Sequence, residues 1–534
     1  MKRKIMKILC FTLSISLFLT INITVMRLTA ASGDFQFSTF FGGSDDEFQE
    51  DGNDIGKMSV EVDKDGNIIV VGRTHSTDYP ETLSIPSPVP GDTDVFISKF
   101  SPDGSTLLFS TVIPRSGKDW ATDVDSDSEG NFYVCGVTAS SSFYINHFEQ
   151  PTKNLGGTNG YDAWVAKITP AGVIEWCRFF GGSQDDWCYS VGVDSNQNVY
   201  ITGSTYSNDM ALLRPGDSTH GQVDCYLAKF NSTGHVQFSR LIGSTGHDWG
   251  MDIKTDSEDN IVMAAGTMSA NFPLVNPQNN DIQGMDGVIM KFDSDGDVVF
   301  STIVGGTGED WILGVALDDS DDIYFTGRGF EKSLEESQQV NNDYSGFESA
   351  FYEDVYAGKL TSDGQKLKYM TVFGGERNDF GMGIDVDSNG NAYIVGETNS
   401  EEFNSREPFG QYSGGREAFL TVLNPKGRIL TSSIFGGSQD EICRDVKISS
   451  SGDAILYGFT ESSDFPIANS HPGNSTLNGG TDLFIASLSM SLPSLPQYPT
   501  SFILWTSISG GVGFLAIIGL VVVLVVRKKR KTTQ

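Results

Sequence analysis

The chain has 534 residues, of which 38% are hydrophobic and 60 are glycine, so it is too apolar for a disordered acidic tract and long enough to bury a large core. Its 69 acids outnumber 36 basic residues, and ten of the latter sit at the two ends, so the body from 32 to 502 carries about −43. A body that acidic repels a phosphate backbone, which excludes nucleic acid as a partner.

Residues 1–31 begin "MKRKIMK", continue through an apolar run from Ile8 to Met26, and end at the small residues Ala30, Ala31 and Ser32. A basic start, apolar centre and small-residue exit predict a secretory signal cleaved near Ala30 or Ala31, with an uncleaved anchor as the alternative for so long an apolar run. From there a phrase recurs seven times: "FSTFFGG" at 37, "FSTVIPR" at 109, "WCRFFGG" at 176, "FSRLIGS" at 238, "FSTIVGG" at 300, "YMTVFGG" at 369 and "TSSIFGG" at 431. Each phrase leads into an alternating strand, a Gly/Asn/Asp turn such as "DSNGN", and a second strand such as "AYIVGET". A variable loop follows, then a third strand such as "DVFISKF", and a short turn returns to the opening phrase. Period-2 alternation with turn residues between runs predicts four short strands per repeat and no long helix.

Seven four-stranded units without helices predict an all-β fold, a seven-bladed β-propeller over residues 35–490, because radial closure leaves only short protected edges. With strands lettered a to d from axis to rim, the chain starts on a d strand near 35–41 and ends on a c strand near 482–488. The N-terminal strand is therefore expected to complete the seventh blade beside the C-terminal one. Residues 491–500 ("SLPSLPQYPT") read as an extended Pro-containing stalk. The charge-free stretch 501–526 reads as a transmembrane helix and 527–534 as a basic cytoplasmic tail, which places the propeller outside the cell.

The phrase "FGG" followed by an acid, "VDSNGNAYIVGET" at 386–398, "FP" in "ANFPLVN" and "SDFPIAN", and the D-x-aromatic-x-x-K pattern resemble the seven-bladed β-propeller repeat family called SBBP. The resemblance recurs in every unit and implies the fold. It implies a secreted or surface domain and no single activity.

Candidate functional residues fall into three sets. Asp119, Asp186, Asp248, Asp310, Asp379 and Glu441, each before a large apolar residue and with Asp54 as the nearest match in the first unit, are expected at the mouth of the central channel. There they could hold a cation, or serve structurally by accepting backbone N–H groups in their own tight crossings while the following aromatic wedges between blades. Asp125, Asp127 and Glu129 are the best candidate ligands for calcium, a hard cation that prefers oxygen, in a turn that otherwise reads as a plain hairpin. The loops between strands b and c break the sevenfold symmetry: Phe143 and Tyr144 in 140–160, and Tyr344, Phe347, Phe351 and Tyr352 in 329–352, suit an aromatic-anchored ligand contact.

No nucleophile elbow, zinc-protease helix, P-loop or dinucleotide fingerprint is present, so no catalytic residue is assigned. Of the five cysteines beyond the signal, Cys177 and Cys188 are the pair to test for a disulfide. Asn231 and Asn474 are candidate glycan sites, each in "NST". The sum is a membrane-anchored extracellular propeller binding a surface protein, a glycan or a matrix polymer. A surface hydrolase using acids at the channel mouth and a structural envelope component are the alternatives.

Overall fold

The computed structural model describes residues 32–47, 57–83, 93–113, 117–140, 160–210, 214, 217, 221–280, 282–306, 308–330, 352–403, 412, 414–470 and 476–492. The chain divides into two units, Met1–Pro493 and Ser494–Gln534, and the second lies outside the described residues. So do the expected signal at 1–31, most of the stalk, the transmembrane helix and the basic tail. Among the described residues no helix is long and apolar enough to cross a membrane.

Among the described residues twenty-eight strands, β1 (Ser32–Phe41) to β28 (Asp482–Ser491), form seven four-stranded antiparallel sheets, each ordered a-b-c-d. The innermost a strands are β2 (Ser59–Val62), β6 (Asp119–Ser126), β10 (Asp186–Val193), β14 (Asp248–Thr255), β18 (Trp311–Leu317), β22 (Asp379–Val386) and β26 (Glu441–Ile448). Most b and c strands are buried along their whole length, as in Phe132–Thr138 and Asp162–Ile168. Both faces of a blade are covered by its neighbours, which is why these strands read as nearly continuous apolar runs. The core is accordingly seven clusters, one at each blade junction, and not one central mass.

The a–b hairpins share one device. Asp127 accepts the backbone N–H groups of Glu129 and Asn131, the Asn131 side chain and the Tyr133 hydroxyl, while Gly130 takes φ +86°. Asp63, Asp194, Asp256, Asp318 and Asp387 cap their own turns in the same way. An aspartate that hydrogen-bonds backbone two residues on, followed by a left-handed residue, fixes a tight return. Each of the six longer a strands also carries a bulge, for example between Ala121 and Asp123, which bends it as it descends along the axis.

The seventh blade is closed by the two ends of the chain. Strand β1 pairs antiparallel with β28 from Ser32↔Ser491 to Phe41↔Leu483, as the phase of the repeat requires. The crossings from strand d to the next strand a meet the b–c loops, since Asp119, Asp186 and Asp248 donate their backbone N–H to Thr93, Tyr161 and Val223. That end of the ring is the loop face, and the tight hairpins form the turn face.

Candidate functional site

The acids expected at the channel mouth lie beneath the crossings, fully buried at the blade junctions. Asp186 accepts the Gly182 N–H at 2.7 Å, the Ser207 hydroxyl at 2.9 Å and the Thr205 hydroxyl. Asp379 does the same with Gly375, Ser400 and Thr398, and Glu441 accepts Gly437 and Thr460. Asp119 accepts Thr138 and Ser140, Asp248 accepts Ser244, Thr267 and Ser269, and Asp310 accepts Gly306. Glu47 fills this role in the first blade through Gly43, Thr74 and Ser76, whereas Asp54 lies outside the described residues. The spacing of four residues after the second glycine, as in Gly43–Glu47, Gly182–Asp186 and Gly437–Glu441, was the legible signal for Glu47.

A second carboxyl stands beside each of several of these acids. A side chain added at Gly42 would meet both Glu47 and Asp482, at Gly181 both Asp186 and Asp162, and at Gly436 both Glu441 and Glu417. The acid that opens strand c of one blade and the acid that opens strand a of the next thus converge on the first glycine of the crossing between them. Burial raises the carboxyls, to about 6 for Asp186 and about 7 for Asp379 and Glu441. Glu47 is raised to about 8, by burial and by the charge of Asp482.

The axis holds a separate set of charges. At one level of the a strands stand Asp123, Asp252 and Asp445 with Ser59 and Ser190, and at the next Glu61, Asp125, Lys254, Asp385 and Lys447. Most of the carboxylates bolt one blade to the next. Val191 and Val193 donate backbone N–H groups to Asp123 and Asp125, Val315 to Asp252, Ile448 to Asp385 and Val60 to Asp445. Lys447 pairs with Glu61 at 2.9 Å, and Asp252 faces Lys57 at 3.6 Å and Lys254 at 3.7 Å. Burial opposes ionisation of Asp252, yet Lys254 and Lys57 bring it down to about 2. Burial likewise pushes Glu61 up to about 7 despite Lys447. Removing one partner of such a pair leaves a buried charge uncompensated. A cavity of about 640 Å³, open mouth included, remains between these strands and is lined by Lys57, Leu313, Gly314, Met382, Arg444 and Asp445 among others. The charges were missed in the sequence, where the signal is variation of charge at two register positions of the seven a strands.

Above this cavity, toward the loop face, the residue after each crossing acid forms an aromatic arc. Trp120, Trp187, Trp249, Trp311 and Phe380 follow one another over blades 2 to 6, and Ile442 ends the series. Trp120 is buried, whereas Trp187, Trp249, Trp311 and Phe380 are half-buried. Trp120, Tyr161 and Trp187 form a triad with ring centroids 5.0 to 5.6 Å apart, and Trp249 lies 5.4 Å from Trp311. Gly266 stands between the last two, its Cβ position 3.8 and 3.9 Å from the two indoles. Arg73 covers Trp120, and Arg328 lies over both Trp311 and Phe380 while pairing with Glu353.

The remaining candidates are dispersed. Asp125 faces the axis, Asp127 is committed to its hairpin and Glu129 is exposed. Among the described residues no group of three or more His, Cys, Asp or Glu is placed to hold a metal ion. Tyr352 is 43% exposed on the loop face, and Phe143, Tyr144, Tyr344, Phe347 and Phe351 lie outside the described residues. Cys135, Cys177, Cys188, Cys225 and Cys443 are buried free thiols. The neighbour of Cys188 is Cys135, in the same junction, while Cys177 packs in another.

The family comparison agrees with a propeller repeat. The model of the SBBP family, a beta-propeller repeat, matches residues 175–209 and 368–404. An uncharacterized WD repeat-containing protein L264 of Acanthamoeba polyphaga mimivirus is 25% identical over 256 residues, 41% of this chain and 18% of the viral protein. The regulatory protein FlaEY of Caulobacter vibrioides is 28% identical over 306 residues, 53% of this chain and 31% of its own length. The chain thus spans less than a third of either relative. A solved protein of unknown function from Dyadobacter fermentans covers 86% of this chain and 99% of its own, with a TM-score of 0.40 and 9% identity. All seven units fold as four-stranded blades, so the chain is a seven-bladed β-propeller, and two of its units match the SBBP repeat model.

Proposed function

We propose that this protein is a membrane-anchored extracellular binding module, exported by 1–31 and held by 501–526, whose loop face takes a surface protein, a glycan or a matrix polymer without turning it over. The observation that carries this reading is the aromatic arc. The position after each crossing acid packs on a junction core, as Ile442 does fully, but Trp249 and Trp311 pack there with only part of their rings and stay half-exposed in part of the ring alone. Part-exposed aromatics beside arginines are what binding hot spots are made of. Strand β28 runs from the loop face to the turn face.

The hydrolase alternative needs two carboxyls flanking a bound glycosidic bond. The crossing acids offer pairs, but each is buried beneath a crossing and engaged by its own loop. The test is binding of the full chain to immobilised polysaccharides and matrix proteins, with products assayed in the same wells. Saturable retention without products supports the module; turnover of any polysaccharide overturns it in favour of the hydrolase.

A further inference from the structure

We propose that the aromatic arc is a platform for a neutral carbohydrate chain, an inference that rests on the binding-module reading and names its ligand class. Sugar rings present a flat face of C–H groups that packs on an indole, with hydroxyls projecting sideways toward polar groups. The arc supplies both halves of that demand. Trp249 and Trp311 stand side by side, 5.4 Å apart and inclined by 36°, both half-buried. Half-buried Tyr161 and Trp187, backed by the buried Trp120, continue the surface over the preceding blades. Gly266 lies against both indoles, its Cβ position 3.8 and 3.9 Å from them and 3.0 Å from the Met285 methyl. Three to five residues further along the strands of Trp120 and Trp249, the cavity presents Asp123, Asp252 and Lys254 as hydroxyl partners, and blades 1 and 7 add Lys57, Arg444 and Asp445.

Other ligand classes fit less well. A polyanion, whether nucleic acid or an acidic polysaccharide, meets the field of a body near −43. A cationic ligand meets like charge at the arc, where Arg73 stands beside Trp120 and Arg328 beside Trp311 and Phe380. An apolar helix needs a continuous apolar groove, whereas Arg328 and its partner Glu353 interrupt this one.

The test uses the full chain in a detergent with no sugar headgroup, titrated with hexasaccharides of β-1,4-glucose, α-1,4-glucose, β-1,4-xylose and N-acetylglucosamine, and with an oligogalacturonate as the acidic arm. At least one neutral hexasaccharide is expected to change tryptophan fluorescence saturably. Trp249→Ala and Trp311→Ala are each expected to weaken it about tenfold or more, and Trp249→Phe to weaken it less, since a smaller ring still stacks. Unchanged unfolding midpoints would assign the loss to the surface. Affinity unaltered in both alanine variants, or preference for oligogalacturonate, overturns the inference. Retention on a matrix protein with no response to any oligosaccharide overturns the carbohydrate class and leaves the binding module standing, whereas no retention on any surface removes both.

Discussion

Glu47 illustrates why an acid stands at the foot of the crossings. One oxygen gathers Gly43 N–H at 2.9 Å, Ser76 at 2.6 Å and Thr74 at 3.1 Å, while the other faces Asp482 in a site without water-like screening. Two carboxyls so placed hold a proton that each alone would release, which is the cause of raised values at like-charge pairs. The acceptors matter more than the charge, so Asp379→Asn is expected to cost about 1 kcal/mol and Asp379→Ala about 3 kcal/mol, measured by chemical denaturation. Equal costs would show that the hydrogen bonds are not what Asp379 contributes.

The pH dependence follows from the same groups. Asp186, Asp379, Glu441 and Glu47 are raised to about 6, 7, 7 and 8, so their stabilisation is complete below their ordinary values of 3.8 and 4.5 and is lost as pH rises through 6 to 8. Asp63, Asp256 and Asp318 are opposed by burial but lowered further by Lys99, Lys291 and Lys359, so their stabilisation is lost as pH falls below their ordinary 3.8. The denaturation midpoint is therefore expected to peak near about pH 5 and to decline toward pH 8. A midpoint that rises from pH 5 to 8 would contradict the placement of these acids.

At the scale of elements, blades lock through the rim as well as the axis. The c–d turn glycine of one blade receives an aromatic from strand d of the blade before: Phe37 on Gly104, Phe109 on Gly172, Trp176 on Gly234, Phe238 on Gly296, Phe300 on Gly364 and Tyr369 on Gly427. The seventh blade has no c–d turn, because its d strand is the N-terminal β1. The sixth blade accordingly carries Thr431 where the others carry the aromatic. Gly234, at φ +76°, has Trp176 within 2.7 Å of its Cβ position, whereas Gly452, at φ +87°, has nothing within 4 Å. Gly452→Ala is thus expected to cost about 1 kcal/mol for the left-handed backbone alone, and Gly234→Ala about 2–4 kcal/mol because the indole must also move. Similar losses in the two variants would remove the rim lock from the account.

At the scale of the molecule, closure depends on strands more than 400 residues apart. Phe40 and Phe41 of β1 are buried, and Phe41 meets Phe100 and Tyr79 of the first blade edge to face at 4.8 and 5.3 Å. The first strand therefore completes blade 7 and packs against blade 1 together. Deleting residues 32–41 uncovers one edge of β28, and an open edge templates pairing with another chain. Such a protein is expected to form oligomers in light scattering, and to return to monomer when the missing strand is supplied as a peptide. A deletion that stays monomeric with an unchanged midpoint would show that the ring closes without its clasp.

Number of blades, strands per blade, hairpin type and the clasp were all legible in the sequence, because each rests on local alternation and turn chemistry repeated seven times. Placement of the acids was only partly legible. Asp186 and its equivalents announce themselves by spacing, but that they face the second carboxyl of the neighbouring blade depends on how one sheet packs on the next. The axial charges and the aromatic arc were decided by closure alone. Trp249 and Trp311 are 62 residues apart in sequence and Asp123 and Val191 are 68 apart, and only the packing of one blade on the next brings each pair together. Local rules shape a blade within one repeat, whereas a site on the axis is shared among blades and exists only when the last strand has joined the first.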